Sequence, residues 1–117
     1  MKKILIVDDD PGILEAISMI LEESDYKTDV TTKGDETYQK IAKFIPDLII
    51  LDILMSGSDG REICKKLKAG ETTKQSPIIM ISAHPNAEKS IEECGANDFL
   101  PKPFEIDALL VKIKKHI

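Results

Sequence analysis

Cysteine is scarce in this chain, and where it occurs it forms no pattern. Cys64 and Cys94 stand thirty positions apart, with no second cysteine near either and no histidine at ligand spacing, so neither a disulfide framework nor a zinc site is indicated. Both are expected to be small buried apolar residues in a reducing compartment. Long apolar runs are missing as well: nothing approaches the ~20 residues needed to span a bilayer. The one early run, residues 4–7, ends in acid, unlike a signal peptide. A cytoplasmic protein without membrane contact is the expectation. Excess basic charge is absent too. With 16 Lys and Arg against 21 Asp and Glu, the net charge is −5, which disfavours non-specific attachment to nucleic acid, so no direct nucleic-acid contact is expected of this domain. Internal repeats, low-complexity tracts and linkers do not occur, and 117 residues fit one domain with a real core but not two.

What is present is acid at the ends of apolar runs. Asp8, Asp9 and Asp10 directly follow Ile4, Leu5, Ile6 and Val7, and Asp52 directly follows the run at 48–51. If both runs are parallel strands of one sheet, their acidic ends meet at one edge. At about 4 Å and an effective dielectric near 20, two like unit charges repel by roughly 4 kcal/mol, which either raises one pKa or calls in a cation. Oxygen ligands of this kind suit Mg²⁺, which keeps open positions for water and phosphate oxygens.

Runs that are apolar without alternation are what a parallel sheet covered on both faces requires. Such runs read as strands at 3–7, 48–51, 77–81 and, more weakly, 97–100, with an alternating edge strand at 27–31. The intervening segments read as helices. The first starts where Asp10 can cap and Pro11 can take the first helical position, and it lines up Ile13, Leu14, Ile17, Ile20 and Leu21 on one face. Residues 35–44 repeat the pattern with Tyr38, Ile41 and Ala42 and stop before Pro46. Residues 61–69, 86–94 and 105–116 give three more, the first two closed by Gly70 and Gly95. Five strands alternating with five helices over short connections imply right-handed crossovers and a parallel sheet. The expected fold is a flavodoxin-like (βα)5 doubly wound α/β sheet with strand order 2-1-3-4-5. Ligands bind such sheets beyond the carboxyl ends of the strands, where the order reverses beside strand one. Asp8, Asp9, Asp52, Ser82 and Lys102 all fall there.

Taken singly, each of these residues has a plainer role. Residues 8–10 can cap a helix, Asp52 the next loop, and Ser82 can start helix four, while Lys102 can be a surface lysine. Their joint placement at one edge argues otherwise. Val7-Asp8-Asp9, Leu51-Asp52-Ile53-Leu54-Met55 with Asp59-Gly60, Ile81-Ser82-Ala83 and Lys102-Pro103-Phe104 together resemble the receiver domain of two-component response regulators, over essentially the whole of 1–117. By that resemblance Asp52 is the phosphoacceptor, taking a phosphoryl group from a sensor histidine kinase or phosphotransfer protein as an acyl phosphate. The resemblance further implies Mg²⁺ held directly by Asp9, Asp52 and the backbone carbonyl of Leu54, with Asp8 acting mainly through a water. Lys102 would pair with the phosphoryl oxygens and Ser82 would donate its hydroxyl to them. Small Ala83 would leave the acceptor open. Ser82 and Phe99 would form the switch, Lys102-Pro103 is expected to be cis, and the surface of helix four, strand five and helix five is expected to carry the output and a homodimer contact. By the same resemblance the domain would be a regulatory phosphoacceptor, and many receivers continue into a C-terminal effector. Three positions depart from the usual pattern. Ser56 replaces a common proline, which is expected to loosen the loop, Phe99 lacks the hydroxyl of the more frequent tyrosine, and Ser82 replaces threonine.

Two other classes compete. Haloacid-dehalogenase-type phosphohydrolases place a nucleophilic Asp after strand one in D-x-D-x-[T/V], whose first half Asp8 and Asp10 satisfy, but Gly12 holds the Thr or Val position. A non-phosphorylated interaction module on the same scaffold is the other, and that class normally lacks the acceptor or the lysine.

Overall fold

The computed structural model describes residues 1–84 and 86–117, and the side chain of Ser90 is outside the described groups. Five parallel strands form one sheet: β1 (Lys3–Val7), β2 (Lys27–Thr31), β3 (Leu48–Asp52), β4 (Ile78–Ser82) and β5 (Asp98–Pro101). Their order is β2-β1-β3-β4-β5, with a separate two-stranded ribbon, Leu54–Met55 against Ser58–Asp59, after β3. Helices α1 (Pro11–Glu23), α2 (Thr37–Phe44), α3 (Gly60–Ala69), α4 (Ser90–Cys94) and α5 (Ile106–His116) complete the chain. The doubly wound architecture and strand order agree with the sequence reading.

Alternation along the strands splits the core in two. Leu5, Val7, Ile49, Leu51, Ile78, Met80 and Phe99 face one side and pack with Ile41, Ile63, Cys64, Leu67, Ala87 and Cys94 from the α2, α3 and α4 side. Ile4, Ile6, Leu48, Ile50, Ile79, Ile81 and Leu100 face the other and pack with Leu14, Ile17, Leu21, Leu109 and Ile113 of α1 and α5. Successive side chains of a strand point to opposite faces, so only a sheet covered on both sides can bury such runs completely. Both cysteines are free and buried, as expected.

Several boundaries and faces differ from the sequence reading. β3 runs one residue beyond the apolar run because Asp52 pairs with Ile81 through the backbone, which is indifferent to side-chain polarity. β4 and β5 are each displaced one residue toward the C-terminus. The helix expected over 35–44 begins as a 3-10 turn, Gly34–Glu36, and becomes α only at Thr37. Its buried residues are Thr37 and Ile41, one turn apart, so Tyr38 is exposed, as is Ala42. The helix expected over 86–94 likewise opens as a 3-10 turn, Ala87–Lys89, leaving a five-residue α4 closed by Gly95 at φ 84. Pro85, inside the loop expected to switch, lies outside the described residues.

Candidate functional site

All expected site residues except Phe99 line one cleft of about 230 Å³ at the carboxyl edge of the sheet. Parallel pairing of β1 with β3 and of β3 with β4 fixes this, because it delivers Asp8, Asp52 and Ser82 to the same edge. Asp8 is fully buried, Asp52 is 4% exposed and Ser82 2%; Asp9 is the most open of the acidic three. One carboxylate oxygen from each of Asp8, Asp9 and Asp52 lies within 4.8 Å of the others. Leu54 lines the cleft from the segment that follows Asp52.

Asp52 could not lie so close to α3 without a glycine. A Cβ on Gly60 would come within 2.0 Å of the Asp52 carbonyl oxygen, while the Gly60 N–H donates to Ile53 O at 2.7 Å. Asp59, just before it, caps α3 by accepting from Arg61 N–H.

Among the described residues Lys102 is the one lysine or arginine lining the cleft. Its Nζ donates to Asp8 Oδ2 at 2.7 Å and lies 3.5 Å from Asp52 Oδ2. Burial pushes the Asp52 carboxyl up, the Asp8 charge pushes further, and Lys102 opposes both only in part, leaving it at about 6. For Lys102 burial works against the ammonium, but the Asp8 hydrogen bond and the charges of Asp52 and Asp8 outweigh it and raise its pKa. The lysine's shorter bond to Asp8 leaves Asp52 the under-compensated carboxylate. Hard oxygen donors with unbalanced negative charge fit a divalent cation such as Mg²⁺.

Ser82 Oγ accepts from the His84 backbone N–H at 3.0 Å, which leaves the hydroxyl proton free to donate. Lys102 N–H donates to Ser82 O at 2.8 Å, so the two residues are tied through the backbone. The Lys102-Pro103 bond is cis, as expected. Phe99 is not in the cleft. It pairs with Met80 in the sheet and sits in the core on the α3 and α4 side, in the same cluster as Ala87 and Cys94.

Asp10 caps α1 as expected, its carboxylate accepting from Gly12 and Ile13 N–H. Two features escaped the sequence reading. His84 lines the cleft two residues beyond Ser82; its position just past a strand end was the available signal. Serine at 56 does not simply loosen the loop, because its backbone N–H donates to Asp9 Oδ2 at 2.8 Å.

Comparison with known proteins identifies the family. The family model of the response regulator receiver domain matches residues 4–114. The DNA-binding dual master transcriptional regulator RpaA of Synechocystis sp. is 33% identical over 116 residues, covering 97% of this chain and 48% of that protein. A putative response regulator from Chloroflexus aurantiacus superposes with a TM-score of 0.92 at 37% identity, covering 97% of this chain and 95% of the other. The response regulator TrrA of Thermotoga maritima, in complex with Mg²⁺ and BeF, gives 0.91 at 33% identity over the full length of both chains. This chain therefore belongs to the response regulator receiver domain family, the regulatory domain of two-component systems. It spans about half the length of curated relatives such as RpaA. Among the described residues no helix is long and apolar enough to cross a membrane.

Proposed function

We propose that this chain is the phosphoacceptor of a two-component phosphorelay, with Asp52 receiving the phosphoryl group from a sensor histidine kinase or phosphotransfer protein. One observation carries the reading: a buried carboxylate pushed up to about 6 stands between two further carboxylates and a lysine in an open cleft. Such a carboxylate is ionised at neutral pH and reachable from the cleft, which suits a nucleophile toward phosphorus. Transfer breaks the N–P bond of the phosphohistidine and forms an O–P bond to Asp52, leaving the donor imidazole to recover its ordinary ionisation. The Lys102 ammonium balances charge on the added oxygens and the Ser82 hydroxyl donates to one of them. Asp8, Asp9, Asp52 and the Leu54 carbonyl would hold Mg²⁺, which when bound would supply positive charge against the negative charge of the phosphoryl group and Asp52. Exposed Ala83 keeps the approach open. Beside it, Ile13, Ile17, Ile20, Pro103 and Phe104 line an apolar groove that suits a helical donor protein.

No substrate other than its own acyl phosphate is assigned to the domain, which catalyses its own phosphorylation and dephosphorylation only. The phosphohydrolase reading loses its second aspartate, because Asp10 is engaged in capping. The non-phosphorylated module is disfavoured by the retained Asp52 and Lys102. Output is assigned to α4, β5 and α5, the expected homodimer contact, where exposed Glu88, Lys89, Glu92, Lys114 and Lys115 mix both charges. Lys112 of α5 belongs to the same charge set and is bonded to Asp98 Oδ1 at 2.8 Å.

Incubation with acetyl phosphate and Mg²⁺, followed by mass spectrometry, tests the assignment. Wild type should gain one phosphoryl group, mapped to Asp52, and Asp52→Asn should gain none. Wild-type levels of labelling in the variant would overturn it.

A further inference from the structure

The segment that follows Asp52 is tied to the acidic pair by a backbone bond that the acceptor chemistry does not use. In the ribbon, Leu54 pairs with Asp59 and Met55 with Ser58, so Ser56 and Gly57 form a two-residue turn. Gly57 has φ 77, whereas the non-glycine residues with positive φ are Asp25 and Ile45. Negative φ at the first turn residue and positive φ at the second define a type II turn. In that turn the N–H of the first central residue takes no part in the closing hydrogen bond, and proline, which has no N–H, is favoured there. A proline would therefore preserve the turn and lose the donor. Here the donor is present and aimed at the site: Ser56 N–H reaches Asp9 Oδ2 at 2.8 Å across 47 positions of sequence.

We propose that the Ser56 backbone amide is a positioning group for the cation site, holding the Asp9 carboxylate in its ligating orientation through one oxygen and leaving the other to the cation. The inference rests on the reading of Asp8, Asp9 and Asp52 as that site. Asp9 is the most open of the three carboxylates and rotates most freely without a partner. A hydrogen bond from the turn removes that freedom before the cation arrives, as outer-shell donors do for metal ligands elsewhere. It also joins Asp9 to the segment carrying Leu54, so two ligands from distant parts of the chain move together. The coupling is reciprocal: what the bond contributes to cation binding, the bound cation returns as protection of the Ser56 amide.

Calorimetric titration of Mg²⁺ into wild type, Ser56→Ala and Ser56→Pro tests this. Ser56→Ala keeps the N–H and should match wild type. Ser56→Pro should bind about tenfold more weakly, the low end for loss of an outer-shell hydrogen bond because this one is open to water. Equal affinity in all three overturns the inference while leaving the cation site standing, as does an alanine variant as weak as the proline one. If wild type binds no Mg²⁺, the site reading itself fails. Should Ser56→Pro not fold, amide exchange in wild type decides: the Ser56 N–H should exchange several-fold more slowly with Mg²⁺ than without, and an unchanged rate overturns the proposal.

Discussion

The Asp52 charge is a net cost to the cation-free fold. Burial and the Asp8 charge raise the Asp52 pKa from the ordinary 3.8 to about 6, so its charge at neutral pH is unfavourable to the fold. Asp52→Asn should therefore stabilise the cation-free protein, by about 1–3 kcal/mol, or roughly 3–10 °C in Tm. Millimolar Mg²⁺ should raise the wild-type Tm by mass action and the variant's by less. Thermal melts with EDTA and with Mg²⁺ check both, and a variant that melts below wild type in EDTA would contradict this account. Sequence order made the acid cluster legible, because acid after an apolar parallel strand has only one edge to occupy. It could not reveal that Lys102 lies nearer Asp8 than Asp52, since two neighbouring carboxylates compete for one ammonium on sub-ångström differences.

At the scale of elements, α5 is fastened to the start of β5. The Asp98 carboxylate accepts from Phe99 N–H at 2.9 Å and Lys112 Nζ at 2.8 Å, with His116 Nε2 at 3.0 Å. Burial alone would raise this carboxyl, but the Lys112 and His116 bonds outweigh it and hold it down at about 2. A folded pKa below the unfolded one gives stability that is present above about pH 4 and is lost as pH falls toward 2. Asp98→Asn should cost about 1–2 kcal/mol at neutral pH and flatten the stability decline between pH 4 and 2. Denaturant unfolding across that range reads both, and a variant with the wild-type acid profile would rule the tie out. Helices with a strong cap were legible to the residue, as α1 was from Asp10 and Pro11. Helices α2 and α4 were not, because neither has a capping side-chain bond and each opens through a 3-10 turn that apolar spacing does not mark.

Across the whole molecule, the site and the proposed output face are joined by one short path. Ser82 ends β4, and the chain beyond it leads to the 3-10 turn Ala87–Lys89 and the short α4. Ala87 and Phe99 share a core cluster with Met80, the β4 residue paired with Phe99. A pull on the Ser82 hydroxyl by new phosphoryl oxygens thus bears on the least regular helix and on β5, whereas α1 packs against the opposite face of the sheet. A signal follows only if those contacts favour one of two arrangements by a difference in free energy. Phe99 has no hydroxyl, so its response must come through packing in the cluster it shares with Ala87. Hydrogen exchange with and without a phosphoryl mimic should show its largest changes over residues 82–84 and 86–110, with α1 unchanged. Changes confined to α1 and α2, with β4, α4 and β5 untouched, would place the output face elsewhere.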